Sequence, residues 1–163
     1  MTLPVAASVG ATSSAAATAA PTPAPADPMP ILNGIRVLLV DDEPDAREVM
    51  ASALEICGAT VHSVASARAA LDLLATDEVD LVLADIAMPG QDGYELIREI
   101  RAMPSARVSA IPAAAVTAHA RDDERERALA AGFQMHLAKP VQPATLARAV
   151  ATLASEKGTP CSN

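Results

Sequence analysis

Five polar residues each close a short apolar run in this chain. Asp41 and Asp42 follow Val37-Leu38-Leu39-Val40, Asp85 follows Leu81-Val82-Leu83-Ala84, Thr117 follows Ala113-Ala114-Ala115-Val116, and Lys139 follows Met135-His136-Leu137-Ala138. Apolar runs of this length read as β-strands. Open α/β sheets set their ligand crevice outside the carboxyl ends of the strands, so polar residues there build a site. Three carboxylates suit a hard divalent cation, and a hydroxyl with an ammonium suits the oxygens of a phosphoryl group. Each residue also has a plainer use: an acid after a strand often caps the next helix, and a lysine before proline is commonly a solvated loop charge. Independent uses would scatter, whereas these five all fall at strand carboxyl ends.

The elements that must position them alternate from Ile35 onward. Apolar runs at 36–40, 60–64, 81–84, 111–116 and 133–138 are separated by helical periods, which predicts a parallel sheet covered on both faces. Val49, Met50, Ala53, Leu54 and Cys57 form one stripe before Gly58, and Ser66 is placed to cap a second helix with Ala67, Ala70, Leu71 and Leu74 inward. A third helix spans about 93–103, with Leu96, Ile97 and Ile100 inward and Pro104 at its end. The fourth, about 121–131, is a charged run before Ala128, Leu129 and Ala131 and reads mostly as a solvated face. The fifth starts at Pro143 and carries Leu146, Ala149, Val150 and Leu153 at helical spacing.

Right-handed crossovers restrict how five parallel strands wind, and 2-1-3-4-5 is a common order, giving a doubly wound (βα)5 flavodoxin-like fold. Strand 1 then neighbours strand 3, so Asp41 and Asp42 face Asp85 while Thr117 and Lys139 close the other side. Adjacent carboxylates repel unless a cation sits between them, which makes Mg²⁺ with several waters the expected occupant. Lys139 can then neutralise one phosphoryl oxygen and Thr117 can hydrogen-bond another. One carboxylate is left as a nucleophile toward phosphorus, giving an acyl phosphate.

Composition narrows the setting. The 163 residues suffice for one domain plus extra sequence. The extra sequence is residues 1–33, rich in Ala, Thr, Ser and Pro and read as a disordered tether; the domain follows at 34–156 and a flexible tail at 157–163. The start lacks the basic residues and unbroken apolar run of a signal peptide, and no stretch is long enough to cross a bilayer, so a cytoplasmic protein without membrane contact is expected. Cys57 and Cys161 make no disulfide framework. A net charge of −8, with twelve Lys and Arg scattered among acids, argues against a nucleic-acid surface.

The stretch from Ile35 to about Ala154 resembles the receiver domain of two-component response regulators. The matching pieces are Val40-Asp41-Asp42-Glu43-Pro44, the run from Asp85 through Met88-Pro89-Gly90 to Gly93, Val116-Thr117-Ala118, and Ala131-Gly132 through Leu137-Ala138-Lys139-Pro140. The resemblance implies that Asp85 is the phosphoacceptor. It implies that Asp42, Asp85 and the Ala87 backbone carbonyl ligate Mg²⁺ directly, with Asp41 acting through water. Thr117, the Ala118 amide and Lys139 would hold the phosphoryl group, and the Lys139-Pro140 peptide would be cis. The family often carries Tyr or Phe three residues before the lysine as a rotameric switch following the threonine. Here that residue is His136, whose imidazole is polar.

The implied function is a Mg²⁺-dependent phosphoacceptor that takes its phosphoryl group from a histidine kinase or histidine phosphotransfer protein. It would switch the surface of helix 4, strand 5 and helix 5 of the alternation toward a downstream protein. It would be a signalling protein and not an enzyme acting on a separate substrate. A haloacid-dehalogenase-like phosphotransferase would want an Asp-x-Asp motif on strand 1 and a cap domain, and neither is present. An interaction module working without phosphorylation would ordinarily have lost one of the five residues. The tether and the run from Gly132 to Pro140 look much like the receivers of hybrid sensor histidine kinases, while the starting Met favours a stand-alone regulator.

Overall fold

Three strands of the chain are apolar on both sides of the pleat, and only a sheet covered on both faces can bury them. In the computed structural model, which describes residues 29–119 and 121–158, these are β1 (Arg36–Val40), β3 (Leu81–Asp85) and β4 (Ala113–Thr117), flanked by β2 (Thr60–Val64) and β5 (Met135–Ala138). The sheet is parallel throughout, in the order β2-β1-β3-β4-β5. The edge strands β2 and β5 are only partly buried, as their mixed sequences Thr-Val-His-Ser-Val and Met-His-Leu-Ala require. Among the described residues no helix is long and apolar enough to cross a membrane.

Among the described residues six helices cover the two faces: α1 (Pro44–Ile56), α2 (Ala67–Thr76), α3 (Gly93–Ala102), α4 (Ala106–Ser109), α5 (Asp122–Ala131) and α6 (Pro143–Gly158). Met50 and Leu54 of α1 pack with Leu146, Val150 and Leu153 of α6 onto Val37, Leu39, Leu81, Leu83, Ala114 and Val116. On the opposite face Ala70 and Leu74 of α2, Leu96, Ile97 and Ile100 of α3 and Ala128 of α5 meet Leu38, Val40, Val82, Ala84, Ala113 and Ala115. The triple alanine of β4 lets helices approach the middle of the sheet closely, and the chain's two aromatics, Tyr94 and Phe133, both fill the α3–α5 face.

Helix starts are set locally. Ser66 Oγ accepts the Ala69 amide at 3.2 Å at the head of α2, and Asp92 and Glu95 close a reciprocal capping box at α3. Pro44 and Pro143 open α1 and α6, where a missing N–H costs nothing.

Several boundaries differ from the sequence reading, each for a backbone reason. The run 111–116 is a strand only from Ala113, because the Ile111 amide closes the α4 turn on Val108 O. Four-residue α4 is too short to leave a period, so the helices expected as fourth and fifth are α5 and α6. Phe133 belongs to the end of α5, its amide bonding Ala128 O past Gly132 at φ 128°, so β5 begins at Met135. Asp85 and Thr117 are the last residues of β3 and β4 and do not lie beyond them. Leu32, assigned to the tether by composition, is fully buried and bonds Cys57 O at 2.7 Å, so the packed body includes it. The rest of the tether, through residue 28, and tail residues 159–163 lie outside the described residues, while α6 runs two residues past the expected boundary. Val49, read as part of the inward stripe of the first helix, is 63% exposed, while Leu129 at 44% fits the solvated face expected of the charged run.

Arg101, near the end of α3, ties this face together. Its guanidinium donates to Ser109 O at 2.8 Å, Ile111 O at 2.6 Å, Gly132 O at 2.7 Å and Gln134 Oε1 at 3.1 Å. One side chain thus satisfies carbonyls of the α4 and α5 ends that no amide reaches, and burial lowers its pKa. Arg101→Ala is expected to cost about 2–3 kcal/mol, on the order of 10 °C in Tm, by leaving those acceptors unpaired. A thermal melt checks it, and an unchanged Tm would show that water replaces the guanidinium at no cost.

Candidate functional site

Side-chain alternation and register together aim the charged residues. On β1 and β3 the odd-numbered residues face the α1/α6 layer, and Val37, Leu39, Leu81 and Leu83 are all there. Asp41 and Asp85 continue those two series, and the pairing of Val40 with Ala84 brings them opposite one another. On β5, Leu137 faces the same layer, so Lys139 two residues on leaves the sheet on the same side. Three strand ends therefore converge through strand order and register together.

The result is a compact charge cluster. One carboxylate oxygen from each of Asp41, Asp42 and Asp85 lies within 4.8 Å of the others. Lys139 Nζ lies 2.9 Å from Asp41 Oδ2 and 3.2 Å from Asp85 Oδ2. The second oxygen of each buried carboxylate accepts a backbone amide, Glu43 N on Asp41 Oδ1 at 2.8 Å and Ala87 N on Asp85 Oδ1 at 3.0 Å. Both loops are thus wrapped onto the acids they follow. Arg47, one turn into α1, donates to Asp41 O at 2.6 Å and fixes the first loop from outside. The second loop is pinned by Gly93, where an added Cβ would come within 2.6 Å of Asp85 O and 2.8 Å of Ile86 Cα, leaving no room for any other residue.

Charge does not balance among these residues. Asp41 is wholly buried and Asp85 is 5% exposed. Three carboxylates face one ammonium, and Asp41 Oδ2, though close to Lys139, accepts no hydrogen bond. Burial pushes the Asp85 carboxyl above the ordinary aspartate range and the Asp41 charge adds to this, while the Ala87 amide and Lys139 oppose it. For Lys139, burial pulls downward but Asp41 and Asp85 outweigh it and hold the ammonium above its ordinary value. An oxygen-only cluster with spare acceptor capacity and excess negative charge is the donor set a hard divalent cation takes, so the residues present fit Mg²⁺.

The sequence expectation brings Thr117 into this cluster as well, and its hydroxyl is elsewhere. Along β4 the inward positions toward α3 and α5 are Ala113 and Ala115, and Thr117 continues that side. Its hydroxyl donates to Glu124 Oε2 at 3.4 Å and accepts the His119 amide at 3.2 Å. The backbone still ties the two strand ends, since Lys139 N bonds Thr117 O at 2.7 Å. Ala87 and Ala118 are exposed on the loops beside the cluster. The Lys139-Pro140 peptide is cis. His136 pairs with Ala115 across the β4–β5 ladder, on the α5 side, and its Nε2 is buried without a hydrogen-bond partner. Glu124 and Arg47 are contributors the sequence reading missed, and Gly93, which it placed in the matched run, had no role assigned there. Glu124 was hidden in a charge run, and only the register of β4 shows that Thr117 turns toward it.

Known proteins bear on this geometry. The family model "Response regulator receiver domain" matches residues 37–151. An uncharacterised 14.6 kDa protein of Leptolyngbya boryana is 42% identical over 122 residues, covering 75% of this chain and 92% of that one. Sensor protein GacS of Pseudomonas syringae pv. syringae is 39% identical over 116 residues, which cover 71% of this chain and 13% of GacS. Among solved structures, the signal receiver domain of a signal transduction histidine kinase from Syntrophus aciditrophicus superposes with TM-score 0.68 at 29% identity, over 78% of this chain and 96% of that domain. The match of the family model over most of the chain, with the sheet order and the converging acids, shows that the chain belongs to the response regulator receiver domain family of two-component systems.

Proposed function

We propose that Asp85 is the phosphoacceptor of this receiver and that its phosphorylation depends on Mg²⁺. The observation that carries this is a buried carboxylate, Asp85, whose oxygen lies 3.2 Å from Lys139 Nζ in a cluster with two further carboxylates. An Asp85 oxygen attacks phosphorus, a new P–O bond forms, and the P–N bond to the donor imidazole of a histidine kinase or phosphotransfer protein breaks, the imidazole leaving with the electron pair. Mg²⁺ would be held by Asp42, Asp85 and the Ala87 carbonyl, with Asp41 acting through water, and would offset charge as phosphoryl oxygens approach. Lys139 exchanges one carboxylate contact for a phosphoryl oxygen and carries the far side of that charge. The Ala118 amide and the Thr117 hydroxyl take the remaining oxygens once the β4 loop closes. Thr117 and His136 then carry the change to the α5, β5 and α6 surface, which meets a downstream protein. The sequence before Leu32 is read as a tether to this unit and the sequence after α6 as a tail.

Acetyl phosphate with Mg²⁺ tests the reading. Intact-mass spectrometry should show one added phosphoryl group, lost at alkaline pH as an acyl phosphate is, and no gain in EDTA. An unmodified protein would sink the proposal. Within it, Asp42→Asn should raise the Mg²⁺ concentration for half-maximal labelling at least about tenfold, since a direct ligand is worth no less than the outer-shell partners whose loss costs about that much. Asp41→Asn should raise it less. The reverse order in the titration would show that the two acids exchange roles.

A further inference from the structure

A hydroxyl has one proton to donate. Thr117 is buried, and its proton is engaged by the Glu124 carboxylate at 3.4 Å on the side of β4 away from Asp85 and Lys139. Glu124 is held from a second direction. Its backbone carbonyl accepts the Tyr94 hydroxyl at 3.4 Å, and Arg127, one turn further along α5, lies 5.2 Å from the centroid of the Tyr94 ring. Tyr94 follows Gly93, the residue packed against the Asp85 carbonyl. The first turn of α5 therefore meets the acidic cluster by two routes, through Tyr94 to the β3–α3 loop and through Thr117 to the end of β4.

We propose that Glu124 is a positioning residue that competes with the phosphoryl group for the Thr117 hydroxyl, so that closing the site requires the Thr117–Glu124 bond to break. This rests on the phosphoacceptor reading above and names a residue that neither the metal nor the phosphoryl group touches. Both acceptors are anionic, so the exchange is between two charge-assisted bonds. The bond on Glu124 is long, which makes it a restraint that a phosphoryl oxygen can displace. When Thr117 leaves, Tyr94 keeps the Glu124 carbonyl, so the first turn of α5 is released on one side and retained on the other. The plainer role for Glu124 is an acid in the first turn of a helix, favoured by the helix dipole together with Asp122 and Asp123. A dipole effect does not depend on whether residue 117 carries a hydroxyl, and that separates the two.

The test is a beryllofluoride titration of the full chain with Mg²⁺, the bound species being read by fluorine NMR. Because the chain has one Tyr and no Trp, its fluorescence reports Tyr94 alone and follows the α5 turn in the same samples. Glu124→Ala should lower the half-saturating concentration about fivefold, the net worth of one such hydrogen bond. Glu124→Gln, a weaker neutral acceptor of the same shape, should fall between. In a Thr117→Val background Glu124→Ala should change binding by less than about twofold, since the partner is gone. An equal gain in both backgrounds, or no gain with Thr117 present, overturns the inference while leaving the phosphoacceptor reading intact. A wild type with no Mg²⁺-dependent beryllofluoride signal overturns that reading, and the inference with it.

Discussion

Asp85→Asn is expected to abolish labelling by acetyl phosphate and Mg²⁺ altogether, with no residual transfer to Asp41 or Asp42. The three acids lie together, yet they are not equivalent. Asp41 has one oxygen on the Glu43 amide and the other 2.9 Å from Lys139, and it is wholly buried. Asp42 lies nearer solvent at the start of the β1–α1 loop. Asp85 ends the central strand, 3.2 Å from Lys139 and grouped with the other two acids, and keeps a small exposed face. Burial already disfavours its charge, which makes its oxygens better nucleophiles than those of an ordinary, well-solvated aspartate. Asparagine preserves shape and the Ala87 contact but removes the nucleophile. Intact mass after incubation decides it: any acyl phosphate on the variant assigns transfer to another acid. Lys139→Ala should still be labelled, more slowly, because Lys139 meets charge and does not itself react with phosphorus.

Much of this arrangement is legible in the sequence because the strands are short, apolar and end on charge. The order 2-1-3-4-5 is a common winding among those crossover handedness allows, and with it comes the meeting of Asp41 and Asp42 with Asp85. What sequence leaves open is which side of the sheet each residue faces. Val37, Leu39 and Asp41 share a side by alternation, but only the β1–β3 and β4–β5 registers bring Asp85 and Lys139 to that same side. The registers likewise turn Thr117 and His136 the other way, toward α5. Ile111 and Phe133 read as strand because they are branched or aromatic and buried, whereas backbone bonds to Val108 and Ala128 make them ends of helical turns. On α1, Val49 and Ile56 form a second apolar stripe beside Met50 and Leu54. Periodicity alone cannot say which stripe meets the sheet.

The same charge imbalance predicts how stability answers to metal and pH. Folding must gather three carboxylates around one ammonium, so the metal-free protein bears a penalty that a divalent cation removes. At about 100 times its dissociation constant Mg²⁺ should add about 2.7 kcal/mol, on the order of 10 °C in Tm for a domain of this size. The pH dependence has an unusual sign for an aspartate. Because the folded state raises the pKa of Asp85, folding favours its protonated form. The stabilisation this gives is fully present below the ordinary aspartate value and is lost as pH rises through the raised one. Lys139, also raised, contributes stability at every pH below the ordinary lysine value and loses it only in strong alkali, so it does not obscure the acid window. In EDTA the Asp85→Asn protein should therefore melt above wild type at neutral pH, and the two curves should converge on acidification. With Mg²⁺ the neutral-pH order should reverse, since metal competes with the proton for Asp85 and stabilises only the chain that keeps the carboxylate. Thermal melts of both proteins across that window, with and without metal, test it. Parallel curves that never converge, or an equal Mg²⁺ shift in both, would show that Asp85 bears neither the buried charge nor the metal.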